Sequence, residues 1–99
     1  LLRRKADYDK YMEMISQHPF GEKEKDGDLM GYLIQASLFS GHGIATKALE
    51  GMLGISYTPL KNRLSILRQE RLLVEEKIGR EKFYRLNLTE FEKQIEKRD

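Results

Sequence analysis

The sequence predicts a mainly helical fold with one small β-hairpin, an α+β domain, and three observations carry that expectation. Apolar residues recur at spacings of three and four along most of the chain. A β-rich stretch occurs once, between Leu72 and Asn87, and it is broken by Gly79-Arg80, a two-residue turn signal. With 99 residues and 39 % hydrophobic content the chain can bury one modest core, so 1–99 reads as a single domain.

In chain order, Tyr8, Met12 and Ile15, with Tyr11 beside them, form one face of an amphipathic helix over about Arg3–Gln17. His18-Pro19-Phe20-Gly21 ends it, and the charged, glycine-containing run to Asp28 cannot bury enough apolar area to pack, which makes 18–28 a connector. Asp28 suits the N-cap of a helix over Leu29–Ser40 whose apolar side chains cover nearly every face, as in a central buried helix, and Gly41 supplies its stop. His42-Gly43-Ile44 can form a minimal strand before Thr46, which can cap a helix carrying Leu49, Met52 and Leu53 up to Gly54.

Thr58-Pro59 then offers a capping hydroxyl followed by proline at the first helical position, where its missing N–H costs nothing, so the next helix spans 59–71. Its inward stripe is Leu60, Leu64 and Leu67, which leaves Lys61, Asn62, Ser65, Arg68 and Gln69 pointing away. Leu72-Leu73-Val74 opens the hairpin, and Phe83, Tyr84 and Leu86 lie on its return strand. Thr89 to Glu92 has the capping-box spacing, and Leu88, Phe91 and Ile95 form a narrow stripe on a terminal helix over 88–99.

Several chemistries are set aside. The chain has no cysteine and two histidines, His18 and His42, so disulfides, a thiolate nucleophile and a cysteine-based metal site are excluded, and neither metal nor cofactor is expected. Gly41 to Thr46 follows a helix instead of a strand and lacks the later glycine and lysine of a phosphate loop, and Asp26-Gly27-Asp28 lacks the spaced carboxylates of a calcium loop. Paired carboxylates such as Glu75-Glu76 fall on exposed charged segments with no apolar pocket to raise a pKa, so an enzyme is not expected. The longest apolar stretch, Leu29 to Phe39, is far shorter than the ~18 residues of a membrane span, and nothing near Leu1 has the pattern of a signal peptide. A cytoplasmic location, on a nucleoid or plasmid, is the expectation.

The net charge of +2 is unevenly divided. Residues 1–28 hold six basic and seven acidic side chains, 29–40 hold none, 41–87 hold nine and five, and 88–99 hold three and four. The positive excess therefore lies in 41–87, as attraction to phosphates requires.

The order helix, short strand, helix, tight turn, helix, hairpin over 29–87 is that of a winged helix-turn-helix, here with extra N- and C-terminal helices at 1–17 and 88–99. Leu49, Leu53-Gly54-Ile55-Ser56, Leu60, Leu64, Leu67, Leu72-Leu73-Val74, Gly79-Arg80, Tyr84 and Leu86 resemble the pattern of bacterial and archaeal winged-helix regulators of the ArsR/MarR sort. Two positions depart from it: Glu50 stands where a small alanine is usual, and Arg71 where a glycine often ends the recognition helix.

The resemblance implies sequence-specific binding of double-stranded DNA, most commonly by a transcriptional regulator or repressor, with 59–71 as recognition helix in the major groove. By resemblance and outward projection, Tyr57, Thr58, Lys61, Asn62 and Ser65 face the groove, where Asn62 suits adenine and Lys61 guanine. Arg63 and Arg68 flank that face and suit phosphates. Arg80 at the hairpin tip, with Lys77 and Lys82 beside it, suits the adjacent groove or backbone, although Glu75, Glu76 and Glu81 weigh against this.

Two alternatives stand beside that reading. The hairpin from Ile78 to Leu86 also looks similar to that of centromere-binding adaptors of tubulin-linked plasmid partition systems, whose partner would be a filament-forming NTPase. A winged helix used only as a protein-interaction module is the other, and the four bases and one acid in 57–71 argue against it. A homodimer is expected through Tyr8, Tyr11, Met12 and Ile15 of the first helix and Phe91 and Ile95 of the last. Those stripes would be surplus to a core built from 29–87, and pairing would set two recognition helices about one DNA turn, ~34 Å, apart.

Overall fold

The computed structural model describes residues 2–17 and 24–98. Five helices and three short strands follow in the order α1 (Leu2–Gln17), α2 (Glu24–Phe39), β1 (Ile44–Ala45), α3 (Thr46–Leu53), α4 (Tyr57–Gln69), β2 (Leu73–Ile78), β3 (Glu81–Leu86) and α5 (Leu88–Arg98). The sheet is antiparallel with strand order β1-β3-β2, so the fold is mainly helical with a small sheet.

Helix α2 occupies the centre. Leu29, Met30, Leu33 and Ile34 are buried on it and belong to one cluster with Leu49 and Leu53 of α3, Leu60, Leu64 and Leu67 of α4, Tyr84 and Leu86 of β3, and Phe91 and Ile95 of α5. The Ser37 hydroxyl bolts this helix to the sheet. It accepts the Leu86 N–H at 2.8 Å and has two carbonyl oxygens within donating reach, Leu86 at 2.9 Å and Leu33 at 3.0 Å. The helix begins at Glu24, so residues 24–28 of the expected connector are helical and Asp28 lies inside the helix instead of capping it. Apolar periodicity marks only the part of a helix that carries apolar residues, and the charged, glycine-containing run from Glu24 to Asp28 has none. The expected stop at His18 to Gly21 and the connector up to Lys23 lie outside the described residues.

The turn after α2 is clamped by Ser40, whose hydroxyl donates to the Gly43 carbonyl at 3.1 Å and accepts the Gly43 N–H at 3.3 Å. Gly43 has φ 100°, and a Cβ there would stand 2.6 Å from the Tyr84 carbonyl oxygen, so only glycine lets the chain enter β1 beside β3. The strand is Ile44–Ala45 rather than His42 to Ile44, paired Ile44 to Tyr84 and Ala45 to Phe83. Helix α3 then starts at Thr46 itself, with Ala45 at the N-cap and no side-chain cap, and Gly54 in the left-handed conformation closes it as the sequence leads one to expect.

Helix α4 begins two residues before the expected Pro59 and ends at Gln69 instead of Arg71, with Ser56 at the N-cap and again no side-chain cap. Pro59 is the third helical residue, and the first intrahelical bond is made by the Leu60 N–H to the Ser56 carbonyl at 3.3 Å. Proline is therefore still among the N–H positions that have no helical partner. At the other end Leu72 N–H bonds the Leu67 carbonyl and Arg71 N–H the Arg68 carbonyl, each at 3.0 Å. This is a Schellman closure, and Arg71 occupies its left-handed position at φ 64°, where glycine is usual.

The hairpin pairs Leu73 with Leu86 through Ile78 with Glu81. Gly79 at φ 64° and Arg80, which has no positive φ, form the two-residue turn. Asn87 N–H closes the base on the Leu72 carbonyl at 2.7 Å. Asn87, not Thr89, caps α5, its side-chain oxygen accepting the Glu90 N–H at 3.1 Å.

The stripes expected to form a dimer interface are largely used within the chain. Tyr11, Ile15, Phe91 and Ile95 are buried, and Tyr8 and Met12 pack against the same core. The Tyr11 and Phe91 rings are 5.9 Å apart, and the Tyr11 hydroxyl donates to Glu92 Oε1 at 2.9 Å. The outer helices thus close on the core, and the surplus apolar surface that motivated a dimer through these residues is absent.

Candidate nucleic-acid interface

The spacing of α4 divides its exterior into three strips, because each residue turns the side chain by about 100°. Leu60, Leu64 and Leu67 point into the core. Opposite them run Thr58, Asn62, Ser65 and Gln69, with Ser65 half-buried and the others exposed. Tyr57, Lys61 and Arg68 lie on one flank, Pro59 and Ile66 on the other, all five exposed. Arg63 departs from its expected place. It is half-buried, and its Nη1 is shielded from solvent, because it falls three residues after Leu60 and four before Leu67, beside the inward stripe. It does not stand on the outer face as a phosphate contact.

The hairpin is oriented by its register. Leu73, Glu75, Lys77, Lys82, Tyr84 and Leu86 share one face, and since Tyr84 and Leu86 are buried on it, that is the face turned to the helices. At its outer end Lys77 and Lys82 are direct cross-strand partners, both exposed. Two like charges directly opposite each other disfavour the hairpin, so nothing in its own stability asks for them. Glu76 lies on the other face, 3.8 Å from His42 Nδ1 and 4.0 Å from Arg85 Nη1.

Helix and hairpin meet through charge. Arg68 Nη2 donates to Glu75 Oε1 at 3.0 Å, and Lys82 Nζ is 3.8 Å from the same oxygen. Burial pushes the neighbouring Tyr84 phenol above its usual range, and the Glu75 charge adds to that shift while Thr46 and Lys82 oppose it. Beyond Glu75 a hollow of about 260 Å³ opens, lined by Thr46 and Lys47 at the start of α3, Glu50, Tyr57 at the start of α4, and Arg80, Glu81 and Lys82 of the hairpin tip.

Of the expected site residues, then, Tyr57, Arg80 and Lys82 share one hollow, and Arg68 joins Lys82 through Glu75. Lys61 is on the same flank of α4, Thr58 and Asn62 are on its outermost strip, and Lys77 extends the hairpin side. Lys47, which lines the hollow, and Gln69, on the outermost strip, were not among the expected contacts. Gln69 was readable from its spacing, whereas Lys47 becomes relevant only once β1 brings the start of α3 beside the hairpin.

Among the described residues no group of three or more His, Cys, Asp or Glu side chains is placed to hold a metal ion, and no helix is long and apolar enough to cross a membrane. No family model, curated protein or solved structure matches the chain.

Proposed function

We propose that this chain is a winged helix-turn-helix domain that binds double-stranded DNA, with α4 as recognition helix in the major groove and β2–β3 as the wing on the adjacent groove or backbone. The observation that carries the reading is the shared orientation of two surfaces. Tyr57 at the start of α4 and Arg80 and Lys82 of the hairpin tip line one hollow together with Lys47, while Lys61 and Arg68 follow Tyr57 on the same flank of α4 and Arg68 is joined to Lys82 through Glu75. On the outermost strip of α4 beside that flank, Asn62 has the donor and acceptor pair that matches adenine, and Lys61 the donor for guanine, while Arg68 and the wing cations suit phosphates. Transcriptional regulation is the occupation proposed for such a domain.

A homodimer is proposed as the binding form because two half-sites multiply a modest single-site affinity. Its interface would avoid Tyr11, Ile15, Phe91 and Ile95, which the core already occupies.

The test is fluorescence anisotropy of the chain with random-sequence and selected duplexes at several salt concentrations. Four to five phosphate contacts should cost about two orders of magnitude in affinity between 50 and 200 mM salt. Absence of duplex binding at low salt, or an affinity indifferent to salt, overturns the reading.

A further inference from the structure

Two of the five large apolar side chains left exposed among the described residues, Phe39 at 42 % and Met52 at 44 %, line one groove of about 210 Å³. The other three, Tyr57, Ile66 and Ile78, are on α4 and the hairpin. Tyr32, Gln35 and Phe39 enter the groove from α2, Ile44 from β1 and Met52 from α3. The Tyr8 ring of α1 backs Phe39 at 6.3 Å, and Ala48, one turn before Met52, is exposed beside it. Lys47 and Glu50 line the hollow on the opposite flank of α3, so the groove and the candidate DNA surface share no residue.

In a chain with 34 % charged residues, no residue lining this groove is charged. Both signs stand around it: Asp28 one turn before Tyr32, Lys47 one turn before Gly51, and Lys5 and Asp9 on either side of Tyr8 in the sequence of α1, all four exposed. A face of one sign repels its own copy, whereas a neutral face ringed by both signs does not. Its longer polar side chains, the Tyr32 hydroxyl and the Gln35 amide, each carry a donor and an acceptor, so the face can hydrogen-bond to itself. A contact about a two-fold axis requires that self-complementarity, because one patch must supply both projection and recess. Phe39 and Met52 project, and the groove they line is the recess.

Resting on the dimeric DNA-binding reading above, we propose that the α2–α3 groove is the homodimer interface, occupied by the same groove of a second copy, with Phe39 and Met52 of each entering the recess of the other. Helix flanks of this length offer on the order of 600 Å² per copy, the lower end of specific interfaces. The dimer is therefore weak in free solution, with a dissociation constant of about 10–100 µM. On adjacent half-sites two copies meet at an effective concentration of about 1 mM, which completes it. No residue of α4 or the hairpin lines the groove, so both stay open to DNA.

Sedimentation velocity of the chain without DNA, from about 1 to about 500 µM, reads the association directly. Wild type should pass from monomer to dimer across that range. Met52→Glu and Ala48→Glu, both at exposed positions, should keep the wild-type circular dichroism and stay monomeric throughout. Ile66→Glu, the same charge change on α4, should dimerise like wild type. On a duplex with two half-sites Ala48→Glu should bind about tenfold more weakly than wild type, and on a single half-site equally well. A wild type that stays monomeric, which leaves the groove to another protein or a small ligand, overturns the inference. So does a dimer that persists in both glutamate variants, or an equal affinity of Ala48→Glu for two half-sites. None of these touches DNA binding by the single chain, whereas a wild type that dimerises but binds no duplex overturns the DNA-binding reading and, with it, the pairing of half-sites.

Discussion

Arg68 on α4 and Glu75 on β2 join helix to hairpin, guanidinium Nη2 to carboxylate Oε1 at 3.0 Å, and Lys82 shares that oxygen at 3.8 Å. One carboxylate thus holds two of the cations assigned to phosphate. Both pairs are partly exposed, so each adds no more than about 1 kcal/mol to stability. Glu75→Gln should raise affinity for duplex DNA of any sequence by threefold or more and steepen its salt dependence by about one counterion. Thermal unfolding should change little. A fall in affinity would mean that Glu75 positions Arg68 for DNA and does not withhold it.

Asn62 and Arg68 should separate specificity from affinity. Asn62→Ala is expected to flatten base preference at one position by about 1–3 kcal/mol, and Arg68→Ala to weaken all sequences alike. Selection from a random library with each variant reads the difference. An unchanged preference in Asn62→Ala removes that residue from base readout.

Arg71 sits at φ 64°, a conformation that costs a non-glycine residue about 1 kcal/mol. Arg71→Gly should stabilise the fold by roughly 0.5–1 kcal/mol, which for a domain of this size raises the melting temperature by a few degrees. Calorimetry decides, and a lower melting temperature would show that the arginine side chain contributes more than its backbone costs.

Gly43 should tolerate nothing larger. Its φ of 100° and the 2.6 Å from a built Cβ to the Tyr84 carbonyl oxygen force β1 away from β3 in Gly43→Ala. A loss of about 2–4 kcal/mol is expected in denaturant unfolding, within the range of strained and overpacked sites. Gly41→Ala, with open space around the built Cβ, is the control and should be near neutral.

Tyr11 predicts a limit at high pH. Burial, then the hydrogen bond to and charge of Glu92, push its phenol up to about 12 from an ordinary 10. A raised folded-state pKa means that the neutral form is favoured by folding, so this contribution is whole below pH 10 and lost as pH rises toward 12. Tyr11→Phe should cost about 1 kcal/mol at pH 7 through the lost bond to Glu92, and should lose less stability than wild type between pH 10 and 12. Parallel alkaline curves would contradict it.

The helix and hairpin positions were legible because each is written in local periodicity: Leu60, Leu64 and Leu67 for α4, and Gly79-Arg80 for the turn. Cap identity was not, since Ser56, Thr58 and Pro59 offer competing starts and tertiary packing of Leu60 chooses among them. The outer helices were misjudged for a different reason. A stripe such as Tyr11 and Ile15 says that it will be buried but not by what, and Phe91 of the same chain is the answer. The charge of Arg63 points to solvent while its spacing, three after Leu60 and four before Leu67, puts it beside the inward stripe, and the Arg68–Glu75 pairing depends on strand register, which no single segment encodes.

The Gln94 side chain of α5 donates to the Glu70 carbonyl at 2.7 Å, just past the last turn of α4. The terminal helix therefore acts as a strut on the far end of α4, and Tyr11 passes that bracing on to α1 through Glu92. Mechanical stiffness of the reading surface is then set some distance from the bases it would meet. Loosening α5 would let the tail of α4 swing while its first turns stay anchored by Leu60, blurring discrimination before the fold itself is lost.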